Sequence, residues 1–280
     1  MTDQVVKIGS SVIQHGPFND RVYLMKLSPD DFGSIPETIE TLSMENSYSK
    51  ICSKIPVSAI DYFRYYGHVT EARIPGFYNG EEDAVFMAKF LSKDRREEKN
   101  ILQRKNVLET ALLKSGQQKD VTLSGDEKIF ICGRDDAREM AELYSRVFPS
   151  YPFPIQDEDY LIGTMQENLV YFCIRRNTKL VAIASCEVDV KNSNVEMTDF
   201  ATLSEFRGNG YSYYLLEEME KEMRKRGIKT AYTIARAVSY GMNTVFSRSS
   251  YIYAGTLVNN TNISGGIESM NIWYKKLVQT

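Results

Sequence analysis

The chain has 280 residues, 42% of them hydrophobic and 25% charged, with a net charge of -3. That length supports a real core in one large domain or two modest ones, and the slightly acidic balance excludes the basic surface that non-specific nucleic-acid binding needs. No run is apolar for the length of a membrane span and the opening "MTDQVVKIGSSV" lacks the regions of a signal peptide, so a cytoplasmic protein with no membrane partner is expected.

The first 90 residues hold "RVYLMKLSPDDFGSIPETIETLSMENSYSKICSKIPVSAIDYFRYYGHVTEARI", which reads strand, loop, helix, strand, helix, strand. "AVFMAKFL" follows as a further strand. "LSKDRREEKNILQRKNVLETALLKSGQQKD" is charged, then helix-like, then rich in Gly, Gln and Lys, the composition of a helix and hinge between domains. The expected division is a first domain over 1–95, a helical linker over 96–124 and a second domain over 125–280.

The second domain reads as mixed α/β. "KIFICGR" is a short strand, "DDAREMAELYSRVF" an amphipathic helix and "QDEDYLIGTMQE" a second helix. "VYFCIRRNTKLVAIASCEVD" is a hairpin turning at Asn177-Thr178. The strand "NVEMTDFATL" leads into "EFRGNGYSYYLLEEM", a helix that stops at Gly227, where a C-terminal glycine belongs. "KTAYTIA", a helix through "VSYGMNTVFSR", "YIYAGTLV" and "SMNIWYKKL" complete it. The first 90 residues follow the second part of this order, with Leu27-Ser28, Lys50 and Val57-Ser58 answering Leu203-Ser204, Lys229 and Val238-Ser239. A degenerate half-copy is the reading favoured over a chance likeness of two α/β segments. Where the second copy has "RGNGYS" the first has "DDFGSI", whose Asp30 and Asp31 repel a phosphate. The first copy is then left to packing, dimerisation into a homodimer, or enclosure of a substrate.

Cys52, Cys132, Cys173 and Cys186 form no CxxC pair and read as buried thiols rather than a disulfide or zinc framework. With only two histidines, His15 and His68, neither a His-based triad nor a His-rich metal site is expected. A glycine loop opening a helix after a strand is, by contrast, an anion-binding arrangement. The first helical N–H groups lack partners, glycines let phosphate oxygens reach them, and Arg207 adds positive charge. The loop is neither a Walker A sequence nor GxGxxG.

Arg207 to Ser212 resembles R/Q-x-x-G-x-G/A, the acyl-CoA pyrophosphate loop of the GNAT acetyltransferase superfamily: Arg207 and Gly210 match, Gly208 is the common extra glycine, and Ser212 replaces the final Gly or Ala. The element order around it resembles the superfamily too. "GGIESMNIWYKKL", the "GMN…F" helix and the N-terminal "YSKICSKIP…EARIPGFYNGEEDAVFMAKF" are similar to the β-lysine N-acetyltransferase family, so the likeness covers nearly the whole chain. The resemblance implies a GNAT fold, a mixed and mostly antiparallel sheet flanked by helices, preceded by a smaller α/β domain that looks like a degenerate half-GNAT. It also implies transfer of acetyl from acetyl-CoA, without a metal, to the ε-amine of a small-molecule substrate, β-lysine, giving a compatible solute.

On that resemblance Phe200, Ala201 and Thr202 line the pantetheine arm, while Arg207, Gly208, Asn209, Gly210, Tyr211 and Ser212 hold the pyrophosphate. Glu196, eleven residues before Arg207, is the expected base, with Asp199 its competitor because residues alternate faces along a strand. Phe246 falls where the superfamily often has a proton-donating tyrosine. The thiolate then leaves unprotonated, takes its proton from water, or takes it from Tyr251 or Tyr253. Asn243 is a candidate cofactor contact. Arg236, Asn259, Asn260 and Glu268 are candidates to bind the two amines and carboxylate of β-lysine. Another diamine, a protein lysine, or acyl-CoA binding without catalysis are the other readings.

Overall fold

A computed structural model describes residues 3–117 and 123–277. In chain order the elements are β1 (Gln4–Ile8), β2 (Ser11–Gly16), β3 (Arg21–Lys26), α1 (Ile35–Glu45), β4 (Lys50–Pro56), α2 (Ile60–Tyr65), β5 (Val69–Tyr78) and β6 (Glu82–Phe90). The short α3 (Lys93–Arg96) and α4 (Ile101–Leu112) follow. Then come β7 (Glu127–Ile131), α5 (Ala137–Val147), α6 (Glu158–Glu167), β8 (Leu169–Arg176), β9 (Lys179–Asp189), β10 (Asn194–Thr202), α7 (Tyr211–Lys225), β11 (Thr230–Arg236), α8 (Tyr240–Arg248), β12 (Ile252–Ile263) and β13 (Gly266–Lys276). The helix and strand order read from the sequence is found, with β1 and β2 added at the front. The expected linker contains α4, which docks on α8 through a 2.6 Å hydrogen bond from Ser247 Oγ to the Ala111 carbonyl; part of it, 118–122, lies outside the described residues.

All thirteen strands form one sheet, in the order β1-β2-β3-β4-β6-β5-β12-β13-β11-β10-β9-β8-β7. The order from β1 to β5 repeats that from β8 to β12, and each half has one parallel pair, β3 with β4 and β10 with β11. Register fixes the correspondence. Arg21 and Tyr23 face Lys50 and Cys52, as Asn194 and Glu196 face Thr230 and Tyr232. Gln14 lies across from Tyr23 as Glu187 lies across from Glu196. Even an ion pair recurs, Lys89 with Glu40 in one half and Lys275 with Glu220 in the other, the latter at 2.8 Å. Hydrogen bonding shifts the sequence anchors by a residue. Leu91 N donates to Ser49 O and Leu277 N to Lys229 O, both at 2.8 Å, so Lys229 answers Ser49 and not Lys50. Isolated identities in similar strands slide easily by one position.

Helices cover the sheet where side chains alternate toward them. In β3, Val22 and Leu24 pack with Ile35 and Ile39 of α1, while Tyr23 points to the opposite face. In β10, Val195 and Met197 pack under Leu215, Leu216 and Met219 of α7. Helices α5 and α6 cover the other face of β8 and β9, with Ala201 of β10 and Phe130 of β7 at the margins of that cluster. Cys132 and Cys173, expected as thiols, are joined in a disulfide with Cα atoms 6.2 Å apart. Cys132 N donates to Tyr171 O, which brings the two cysteines to neighbouring chains of the sheet, a proximity that 41 intervening positions hide.

The halves meet where β12 pairs with β5 at a single point, Gly255 opposite Ala72. These two residues are counterparts, since each follows an irregularity after the second residue of its strand. Gly255 has φ +146°, and a Cβ there would stand 2.1 Å from Glu71 O and 2.7 Å from Ala72 Cα. Backbone blocks that space, so Gly255→Ala is expected to cost about 2–4 kcal/mol through strain and overpacking. Urea unfolding followed by fluorescence of Trp273, the single tryptophan, checks this. An unchanged midpoint counts against the join as described.

Candidate active site

Strands β10 and β11 pair only from Asn194 to Glu196 and then part. β11 continues fully paired with β13 on its other side, and β10 with β9. A bulge between Thr198 and Ala201, with Asp199 at φ +54°, bends β10 away. Beyond Glu196, among the described residues, no strand lies along the β11-facing edge of β10. Its backbone donors and acceptors are open to an extended ligand. Phe200, Ala201 and Thr202 all lie on this parted stretch. Phe200 faces a cavity, Ala201 is buried against the α5–α6 side, and Thr202 is partly exposed.

The parted strand runs into Arg207–Ser212. Gly208 and Gly210 adopt left-handed φ values of +87° and +79°, which glycine takes without strain. Among the described residues, the N–H groups of Gly208, Asn209, Gly210, Tyr211 and Ser212 make no hydrogen bond. No acidic residue stands in the first turn of α7. Five unpaired donors at the positive end of a helix suit a pyrophosphate. Arg207 is exposed beside them, its Nε only weakly held by Thr202 O at 3.4 Å. The side chains of Tyr211 and Asn209 turn elsewhere, Tyr211 to Glu127 and Asn209 to Phe206 O, so these two residues offer backbone. The corresponding turn of the first half is closed: Asp31 accepts from Ser10 N and Ser11 Oγ, and Pro36 removes a donor from the start of α1.

Between the parted strands and the first half lies a cavity of about 310 Å³. One wall carries acids. Glu187 and Glu196 sit side by side on β9 and β10. Burial pushes Glu196 up to about 8, helped by the Glu187 charge and opposed by Lys54 and a hydrogen bond with Tyr232. Burial also raises Glu187, against the pull of Lys54. Asp199 is raised by burial too, but its oxygens are occupied by Tyr151 OH and Ser185 Oγ, each at 2.5 Å. It anchors the loop after α5 rather than offering a free carboxylate. The opposite wall comes from the first half. Lys54 of β4 rests on the Phe77 and Tyr232 rings with its Nζ 3.2 Å from Tyr232 OH, while Gln14, Arg21, Tyr23 and Met25 complete the surface.

Several expected residues are engaged elsewhere. Asn243 is fully buried and donates to Arg236 O and Ser239 O while accepting from Asn271 and Trp273, leaving nothing for a cofactor. Tyr253 shares its hydroxyl hydrogen with Thr256 at 2.6 Å, packs on Trp273 and does not line the cavity. Arg236 reaches the cavity, but Glu268 pairs with it through contacts of 2.6 and 2.9 Å. Asn259 donates to Arg95 O and Glu97 O, away from the cavity. Phe246 and Asn260 do line it. Sequence reasoning missed Glu187, whose signal was an acid inside an apolar strand, and missed every cavity residue of the first half.

A seven-stranded sheet parted between its fourth and fifth strands, with an open row of N–H donors at the head of the following helix, defines an N-acetyltransferase. Residues 137–243 match the acetyltransferase (GNAT) family. The chain is 40% identical over 273 residues to the β-lysine N(6)-acetyltransferase of Methanococcus maripaludis, covering 98% of each. It is 36% identical to the enzyme of the same name from Methanosarcina mazei, over 76% of this chain and 78% of that one. Its identity with the N-acetyltransferase YodP of Bacillus subtilis is 31%, over 96% of each. The chain belongs to the GNAT family of acetyltransferases, whose members use acetyl-CoA.

Gly210→Val places a β-branched residue in the left-handed region beside the donor row. CoA affinity, read by calorimetric titration, is expected to fall by at least about tenfold, the effect of strain of order 1–3 kcal/mol. Unchanged affinity with helix content preserved would remove the pyrophosphate from this loop.

Proposed function

We propose that the chain transfers acetyl from acetyl-CoA to the ε-amine of β-lysine, giving N-ε-acetyl-β-lysine, by direct attack in a ternary complex. Full-length similarity to a β-lysine N(6)-acetyltransferase carries the choice of acceptor. A cavity of about 310 Å³ walled by both halves is of a size that favours a small molecule over a protein lysine. On this reading 125–280 is the catalytic unit, 1–95 a half-GNAT-like unit that closes the acceptor site, and 96–124 the link between them, in a protein of the cytoplasm.

Glu196 acts as the base. The amine must lose its proton to attack the thioester carbon; the C–N bond forms, the C–S bond breaks, and the carboxylate takes the amine proton directly or through water. A base pushed up to about 8 is basic enough to accept the amine proton, and its ionised fraction grows as pH rises toward that value. The unpaired backbone of β10 beyond the bulge offers N–H groups to the thioester oxygen as it gains charge. Phe246 cannot protonate the thiolate, Tyr253 is bonded elsewhere, and Tyr251 is buried behind Phe246 and does not line the cavity, so that proton comes from water or is not needed.

The sign of the pH dependence follows. Glu196 is active when ionised, so kcat/KM is expected to fall as pH drops through about 8. Glu196→Gln should remove that limb and lower kcat/KM by about 10²–10⁴-fold, leaving acetyl-CoA affinity intact. A variant that keeps the limb excludes Glu196 as its source. Turnover of β-lysine, α-lysine, spermidine and a lysine peptide, compared side by side, tests the acceptor; no preference for β-lysine defeats that part of the proposal.

A further inference from the structure

Three cations are buried among the described residues, Arg21, Lys50 and Arg95. Lys50 pairs with Glu71 at 2.9 Å and Arg95 with Asp20 at 3.3 Å. Arg21, only 4% exposed, has no ion pair among the described residues. Its partners are neutral: Asn260 O at 2.6 Å, Thr261 Oγ1 at 3.3 Å and Gln14 Oε1 at 3.3 Å, with Nε bonded to nothing. A desolvated guanidinium without a counter-charge is costly to a fold.

The fold itself does not require the charge. Asn194 is the counterpart of Arg21, and its amide donates to Phe77 O at 3.3 Å across the join of the halves. That bond is the counterpart of Arg21 to Asn260 O, because β5 and β12 align from their first residues through Ala72 and Gly255. An amide serves the structural purpose on one side of the molecule. On the other, a guanidinium serves it, keeps an Nε without a partner, and belongs to a residue that lines the cavity. Beside it Asn260, 3% exposed and also on the cavity, has an Oδ1 with no partner.

We infer that Arg21 and Asn260 form the subsite for the amino-acid end of the acceptor, with the carboxylate paired to the Arg21 guanidinium and the neighbouring ammonium beside the Asn260 amide. This rests on the reading of the chain as an amine acetyltransferase. The acids Glu187 and Glu196 lie on the β9–β10 wall, so an acceptor with its carboxylate on β3 presents its distal amine to them. Specificity for an amino acid over a plain diamine is then supplied by the half that carries no open donor loop.

The test compares β-lysine with 1,4-diaminopentane, the same molecule without its carboxylate. The unaltered enzyme is expected to favour β-lysine in kcat/KM by about 100-fold or more, the scale of a buried charge-assisted contact. Arg21→Gln should erase most of that preference by lowering β-lysine turnover alone, while Arg21→Lys restores part of it; acetyl-CoA affinity should not move. Equal losses on both acceptors would make Arg21 merely structural, and equal turnover by the unaltered enzyme overturns the inference without any variant. If α-lysine or ornithine proves the better acceptor, the β-lysine reading fails, and the ratio of that amino acid to its decarboxylated amine decides the Arg21 question.

Discussion

The molecule depends on one backbone contact with no room for a side chain, Gly255 against Ala72. Each half ends in an exposed edge strand, β5 or β12, and an exposed edge is open to aggregation. Meeting at this one point, the two edges join the halves into a single sheet. The bulges that precede Ala72 and Gly255 turn the strands as they meet, so the sheet curves instead of running flat. Curvature is what brings β3 and β10, seven places apart in the strand order, onto one cavity. Backing for the join is polar and dense: Lys50 Nζ donates to Val258 O at 2.7 Å and Glu71 accepts from Val258 N at 2.8 Å.

Given that frame, small substitutions divide the work. Glu187 and Glu196 in the second half correspond to Gln14 and Tyr23 in the first, so the same register carries an ionisable pair on one wall and an uncharged polar pair on the other. The open glycine turn of the second half corresponds to a turn that Asp31 and Pro36 close. Asn194 corresponds to Arg21. Each change alters charge or hydrogen bonding while leaving strand pairing untouched, which is how two related frames diverge in chemistry without diverging in shape.

The frame was legible in the sequence because periodicity, turn residues and the stop at Gly227 are local signals. The donor row was legible for the same reason: glycines that need left-handed φ mark it directly. The cavity was not, because it is made by curvature. Nothing local in "RVYLMK" says that Arg21 ends up across a cavity from Glu196, and nothing local around Arg236 says that Glu268 pairs with it. Asn243 failed for a related reason. A polar residue on a short helix reads the same whether it meets a ligand or a buried Trp273.

The acid wall shows why a cavity walled by both halves suits the proposed chemistry. Two carboxyl groups packed together out of water resist ionising together, and burial with mutual repulsion holds protons on the pair. An acceptor amine arrives as an ammonium. Its positive charge beside Glu187 and Glu196 favours their ionised forms, so its entry works against the same burial that kept them protonated. The pair thereby gains a charge when there is a cation to hold, and in the proposed mechanism Glu196 is then a free carboxylate beside the group whose proton it takes. Lys54, from the opposite wall, tempers the repulsion and limits how high Glu196 is driven. On the proposed chemistry, the basicity of the acid wall is therefore set jointly by the acceptor and by Lys54 of the first half.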